Sequence, residues 1–172
     1  MAQIHTAERA DIAPLPPSPS QDTTPSGPEQ PASYTVTPWW DPGLATRGVD
    51  PRDPYVERFW LGTLGPSTVL LLRRFARGLD EHPEGFRVGV VDTSLALGLG
   101  RGTGRNAPIT RTVNRAVSFD MMRRPDPGRL EVRTHLPLLG PRQLRHLPPL
   151  QRRLHDEWLR RRTDSSPRAE PA

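Results

Sequence analysis

The clearest amphipathic pattern in the chain lies between Ser67 and Leu79. Apolar side chains recur there at three- and four-residue intervals, which places them on one face of a helix. This face consists of Val69, Leu72, Phe75, Ala76 and Leu79. Ser67 is a suitable N-cap for the predicted helix. The same spacing predicts a helix over 54–64, with Asp53 as its cap and a break at Gly65-Pro66.

An alternating pattern of apolar and polar residues predicts two regions of β-structure. Residues 86–91 alternate and include three β-branched valines, which indicates a short strand. Residues 130–136 alternate in the same way and follow the Pro125–Gly128 sequence, which is typical of a turn. We therefore expect residues 119–136 to form a hairpin.

Three further helices are indicated by shorter patterns. One covers 92–99, with Asp92 or Thr93 as its cap, and a glycine-rich flexible loop then extends to residue 106. The next covers 108–118, with Pro108 in its first turn and Asn106 as a possible cap. After a connection broken by prolines, residues 150–162 form the last predicted helix, with Leu150, Leu154 and Trp158 along one face.

The ends of the chain have the composition of disordered segments. Half of the 22 prolines fall at or before Pro54, and proline removes backbone donors and restricts its neighbours. We expect 1–53 to be a disordered tail, 54–162 to be the folded domain and 163–172 to be a second disordered tail. The predicted fold is mainly α with a small β-sheet (α+β). Trp39 and Trp40 are unusual in a polar tail, because tryptophan side chains are costly to leave in water. We favour packing of these two side chains against the folded domain over a role as an anchor for a partner.

The absence of two residue types removes several kinds of chemistry. The chain has no cysteine, which excludes disulfides, thiolate metal sites and cysteine nucleophiles. It has no lysine, so the glycine loop lacks the residue that a Walker A loop requires. Gly102–Ala107 matches a dinucleotide-binding pattern, but without a surrounding βαβ unit a flexible connector is the favoured interpretation.

No other pattern indicates catalysis or a targeting signal. The five histidines lack a metal-ligand spacing, and Ser67 lacks the frame of a nucleophile elbow. We therefore expect a non-enzymatic protein with no metal and no cofactor. The first ten residues are polar and no apolar run could span a membrane, so we expect a cytoplasmic protein without a membrane partner.

Charge is distributed unevenly along the chain. Residues 1–53 hold three arginines and seven acids, a net charge of −4, whereas residues 101–162 hold 15 arginines and five acids, a net charge of +10. This contrast suggests an anionic partner, or a tail that masks the basic region. The arginines also fit a GC-rich genome, and composition alone leaves both explanations open.

The predicted order of helix, strand, short helix, helix, strand, turn and strand resembles the winged helix-turn-helix superfamily over residues 67–136. The segment from Pro54 to Thr68 is also similar to uncharacterised actinobacterial proteins with the same Pro-Tyr-Val-Glu-Arg-Phe-Trp opening. The winged-helix resemblance implies that 92–99 and 108–118 form the paired helices, with 108–118 in the major groove, and that 119–136 forms the wing. The implied contacts to DNA are Arg101, Arg105, Arg111, Asn114, Arg115, Arg129 and Arg133.

These features predict a DNA-binding regulatory or accessory protein with duplex DNA as its partner. The alternative is a protein-interaction module, because this fold does not fix one function. In that case Trp39, Trp40 and Trp158 would bind the partner, and the last helix could alternatively form a homodimer. RNA binding ranks lower because no aromatic strand surface for stacking bases is evident.

Overall fold

The computed structural model describes residues 31–164, which form seven α-helices and four strands in that range. The helices are α1 Pro42–Arg47, α2 Leu61–Leu64, α3 Pro66–Glu81, α4 Val90–Ala96, α5 Pro108–Ser118, α6 Pro141–His146 and α7 Pro149–Asp164. A π-helical turn, Val56–Trp60, leads directly into α2. The strands are β1 Ser33–Trp39, β2 Phe86–Gly89, β3 Met122–Arg123 and β4 Arg129–Arg133. The predicted α+β class is confirmed.

The four strands form one mixed sheet in the order β2-β1-β4-β3. β1 pairs antiparallel with β2 from Ser33 opposite Gly89 to Val36 opposite Phe86. On its other side β1 pairs parallel with β4, and Trp39 is opposite Arg133. β3 and β4 pair antiparallel, which confirms the predicted hairpin.

The prediction that residues 1–53 form a disordered tail is wrong for its last part. Residues 33–39 supply β1, and residues 42–47 supply α1. Tyr34 and Val36 are buried while Thr35 between them is exposed, which is the alternation of a strand. Pro38 is tolerated because β2 pairs only with residues 33–36, so β1 has a single neighbour at that point. Residues 1–30 and 165–172 lie outside the described residues.

Helix α3 is the centre of the core. Its predicted apolar face is confirmed, because Val69, Leu72, Phe75, Ala76 and Leu79 are all buried. The predicted Ser67 cap is wrong: Gly65, with φ of 80°, precedes the helix and Pro66 opens it. A glycine suits this left-handed backbone, and the fixed φ of proline suits a first helical turn.

Several other helix boundaries differ from the predicted ones. Val90 and Val91 belong to α4 rather than to the preceding strand, and the pairing of β2 with β1 ends at Gly89 opposite Ser33. Ala107, not Asn106, is the N-cap residue of α5. The proline-broken connection before α7 contains α6, in which Pro141 occupies the first turn.

A buried Tyr–His pair fastens α7 to the domain. The Tyr55 hydroxyl lies 2.9 Å from His155 Nε2 and accepts a hydrogen bond from the Leu139 amide at 2.8 Å. Its ring packs on Phe59 and Trp158 at centroid distances of 4.9 and 4.5 Å. Burial raises the pKa of Tyr55 to about 12 and lowers the pKa of His155. Burial therefore disfavours a charged imidazole and a charged phenolate at this contact.

Arg133 is buried, which contradicts its predicted role as a DNA contact from the wing. It is 8% exposed, and its Nε and Nη2 donate to the carbonyl and carboxylate of Asp120, both at 2.7 Å. Its Nη1 donates to Asp41 at 2.8 Å, and its guanidinium lies 3.6 Å from the ring centroid of Trp39. The Arg133 hydrogen bond also lowers the pKa of Asp41, whose carboxylate caps α1. This residue stabilises the fold.

None of the helices within residues 31–164 combines the length and apolarity needed to cross a bilayer.

Replacing Arg133 should destabilise the protein strongly. Arg133→Ala leaves Asp120, Asp41 and the Trp39 ring without their shared partner, and we expect a loss of about 2 kcal/mol or more in the free energy of unfolding. Arg133→Lys should recover only part of this loss, because an ammonium cannot reproduce the planar fork. Urea denaturation measures both values. Arg129→Ala, on the same strand but exposed, should change stability by no more than about 0.5 kcal/mol; an equal effect at both positions would contradict the assignment.

The lowered pKa of His155 predicts a loss of stability in mild acid. The unfolded chain takes up a proton near pH 6.5, while the folded chain resists it, so the free energy of unfolding falls as the pH drops below about 6.5. The lowered pKa of Asp41 and of Asp50 affects stability only below about pH 4, outside this window. Urea denaturation between pH 5 and 8 should show a shallower pH dependence in His155→Phe. Equal slopes in the two proteins would rule out His155 as the source.

Candidate nucleic-acid interface

Helix α5 separates its apolar and polar residues onto opposite sides. Ile109, Val113 and Ala116 are buried in the core, as the sequence predicts. The side chains of the exposed face are Arg111, Asn114, Arg115 and Ser118. Packing therefore presents to solvent the three α5 residues that the resemblance implies as contacts.

The loop between α4 and α5 is held at both ends by hydroxyl groups. Ser94 Oγ donates to the Gly100 carbonyl at 2.6 Å, and Thr110 Oγ1 donates to the Gly104 carbonyl at 3.0 Å. Arg101 and Arg105 lie between these anchors and are exposed. The glycine-rich loop thus places two guanidinium groups near the start of α5.

The two arginines of α5 differ in the contacts that their side chains make. Within residues 31–164, the side chain of Arg111 makes no hydrogen bond or ion pair and is exposed. Arg115 donates to the Thr63 carbonyl from Nε at 3.1 Å and from Nη2 at 2.6 Å, and its guanidinium lies 5.6 Å from the ring centroid of Phe119. Arg111 is therefore free to bind a ligand, whereas Arg115 also caps the end of α2.

The hairpin adds three exposed arginines, two of which are partly neutralised. Glu131 accepts a hydrogen bond from Arg123 at 2.5 Å and forms an ion pair with Arg129 at 3.5 Å. Arg124 instead donates to Asn114 Oδ1 at 3.4 Å, which connects the hairpin to the exposed face of α5. Sequence reasoning had chosen Arg129, but Arg124 lies closer to the helix face that carries the other candidates.

A groove of about 320 Å³ runs beside α5, where the N-terminus of α3 approaches it. Its lining residues are Ser67, Thr68, Leu99, Pro108, Arg111, Thr112 and Arg115. Ser67 and Thr112 are joined through their hydroxyl oxygens at 3.1 Å. Sequence reasoning did not find this groove, because the spacing of α3 and α5 along the chain gives no sign that their polar residues meet.

A second groove of about 580 Å³ lies on the other side of Arg115. Its lining includes Thr63, Phe119, Arg142 and His146, together with the carboxylate residue Asp120. Arg142 and His146 belong to α6, a helix that the proline-rich sequence gave no reason to expect. The two grooves share Arg115 and together continue the polar surface of α5 toward α6.

The three tryptophans proposed as partner contacts lie in different environments. Trp39 is half-buried and stacks with Arg133 and with Arg123, whose guanidinium lies 4.4 Å from the ring centroid. Trp158 is half-buried against Tyr55. Trp40 is 61% exposed, and its ring makes an edge contact with His135 at a centroid distance of 6.2 Å. The structure therefore leaves Trp40 most accessible to a partner.

The segment from the α4–α5 loop to the end of β4 is basic. Residues 97–133 contain eight arginines and three acids, a net charge of +5. Seven of the eight arginines are exposed, and only Arg133 is buried. In the described part of the chain, no three histidine or carboxylate side chains gather in a way that could hold a metal ion.

Comparison with known proteins found no match. No known protein family, no curated protein and no solved structure matches this chain.

Proposed function

We propose that this protein binds duplex DNA through a winged-helix-like domain and acts as a regulatory or accessory factor. In this proposal α5 enters the major groove and the β3–β4 hairpin is the wing. The α4–α5 loop contacts the phosphate backbone through Arg101 and Arg105. A cytoplasmic location follows from this role and is part of the proposal.

The observation that carries the proposal is the exposed face of α5. Arg111 and Asn114 project from one regular helix whose opposite side is fixed in the core. A guanidinium can bind either a guanine edge or a backbone phosphate, and a carboxamide can pair with adenine. Arg124 links this face to the hairpin through Asn114, so the two elements offer one continuous surface.

The order α3–β2–α4–α5–β3–β4 also supports the proposal, because it follows the order of winged-helix elements. The additional strand β1 lies between β2 and β4 and is an elaboration of that arrangement. Arg133 is left out of the proposed interface because its donors are occupied inside the fold. Arg124 takes its place as the arginine of the wing nearest to α5.

An adaptor role is the second candidate, and exposed apolar side chains favour it. Trp40 is 61% exposed, Leu150 58% and Leu61 36%. Leu61 and Trp158 line a groove of about 510 Å³ between the π-helical turn and α7. A protein partner, or a second copy of the chain, would cover such side chains. The DNA titration below separates the two functions.

The DNA-binding proposal predicts affinity that depends strongly on salt. Each neutralised phosphate releases counterions, so contacts by four or five arginines give a slope of about −4 in log Kobs against log salt. Fluorescence anisotropy with random duplex DNA at several salt concentrations measures this slope. Arg111→Ala should weaken binding by about five- to tenfold and reduce the magnitude of the slope by about one.

Arg77→Ala is the matched control, because it removes an exposed arginine ten residues along α3 from Ser67, about 15 Å away. It should bind DNA like the unaltered protein. Arg115→Ala is less informative, since it also removes the hydrogen bonds to Thr63 and needs a separate stability measurement. If the protein does not bind DNA at low salt, the DNA proposal fails and the adaptor role is favoured.

A further inference from the structure

The groove beside α5 contains the N-terminus of a long helix that has no side-chain cap. The residue before α3 is Gly65, which cannot provide one, and Pro66 has no amide hydrogen. The first amides of a helix lack intrahelical acceptors, so those of Ser67 and Thr68 have no partner within α3. With 16 residues, α3 also directs the positive end of its dipole toward this groove.

A second and independent feature of the same groove is an unsatisfied hydroxyl. Thr68 lines the groove and is fully buried, and its Oγ1 has no hydrogen-bond partner within residues 31–164. Thr112, on the facing helix, differs because its Oγ1 bonds to Ser67 and to the Pro108 carbonyl. Buried polar groups are nearly always paired, so a lone hydroxyl at this place calls for a partner from outside the described residues.

The charges around the groove define the chemistry of that partner. Arg111 and Arg115 both line it, and none of the lining residues in the described part of the chain is acidic. The guanidinium of Arg111 has no hydrogen-bond partner among residues 31–164. Amide donors, hydroxyls and a guanidinium around one helix N-terminus form the usual environment of a bound phosphate.

We propose that this groove is a seat for one phosphate group. The amides of Ser67 and Thr68, the Thr68 hydroxyl and the Arg111 guanidinium hold the phosphate oxygens. In duplex DNA the group is a backbone phosphodiester, and this assignment rests on the proposed function. The seat then fixes the position of α5 on the duplex through α3, an element outside the predicted paired helices and wing.

The test follows the amide resonances of Ser67 and Thr68 by NMR in the full-length protein. One titration uses duplex DNA, and the other uses sodium phosphate against sodium chloride at constant ionic strength. We expect both amides to shift with DNA. Thr68→Val should weaken DNA binding about three- to fivefold without weakening the fold, because it removes an unsatisfied buried group.

Thr37→Val is the matched control. Thr37 Oγ1 is also buried without a partner in the described residues, but it lies on β1 and not in the groove. It should leave DNA affinity unchanged. If both variants bind DNA equally weakly, the loss of affinity is a general effect of removing a buried hydroxyl. This result would show that the proposed phosphate seat is wrong.

The remaining outcomes separate the seat from the proposed function. If DNA binds but the two amides do not shift and Thr68→Val binds normally, the seat is wrong and the DNA function stands. If DNA does not bind but inorganic phosphate shifts both amides, the seat stands with free phosphate as its ligand, and the DNA function fails. If neither ligand acts, both proposals are overturned.

Discussion

The fold depends on a single buried guanidinium, that of Arg133. It joins the end of β1, the capping residue of α1 and the turn that follows α5. A charge that is removed from water must have all of its hydrogen bonds satisfied, so each of these segments has to be in place. Asp120, which accepts two of the bonds, has φ of 58°, a left-handed backbone that few residues other than glycine adopt. Arg133 thus holds the turn that ends the proposed recognition helix.

The candidate interface results from how α3 and α5 pack. Their apolar faces meet in the core, which places the N-terminus of α3 next to the polar face of α5. Arg115 bonds to the carbonyl of Thr63, just before α3, and fixes this approach from the solvent side. Helix position and surface charge therefore have a common cause, because the residues that bury α5 also determine which arginines it exposes.

Periodicity in the sequence was sufficient to identify the elements that bury one regular face. It located α3, α5, α7 and the hairpin, and it placed Arg111 and Asn114 on the exposed side of α5. It failed for β1, where Pro38 and the surrounding prolines outweighed the alternation of Tyr34 and Val36. Arg133 was misplaced for the same reason. The alternation of 130–136 puts it on a polar face, but Trp39 and Asp41, which cover that face, were assigned to the tail.

Sequence patterns could not predict the contacts between elements that are distant along the chain. Nothing in the spacing of Ser67 and Thr68 indicates that they line a groove together with Arg111. Arg142 belongs to α6, a helix that the surrounding prolines gave no reason to predict. Such sites arise from tertiary packing, whereas periodicity reports only on the face that one element buries.

The position of β1 has a consequence for how the chain reaches its native state. Residues 35–39 pair in parallel with residues 129–133, so the centre of the sheet closes only after most of the domain has been synthesised. Pairings of such long range carry a large loop-closure entropy and slow down folding. Until β1 is inserted, β2 and β4 both present open edges, which are templates for association with other chains. A fragment that begins at residue 54 would keep those edges permanently, so β1 is an integral part of the folding unit.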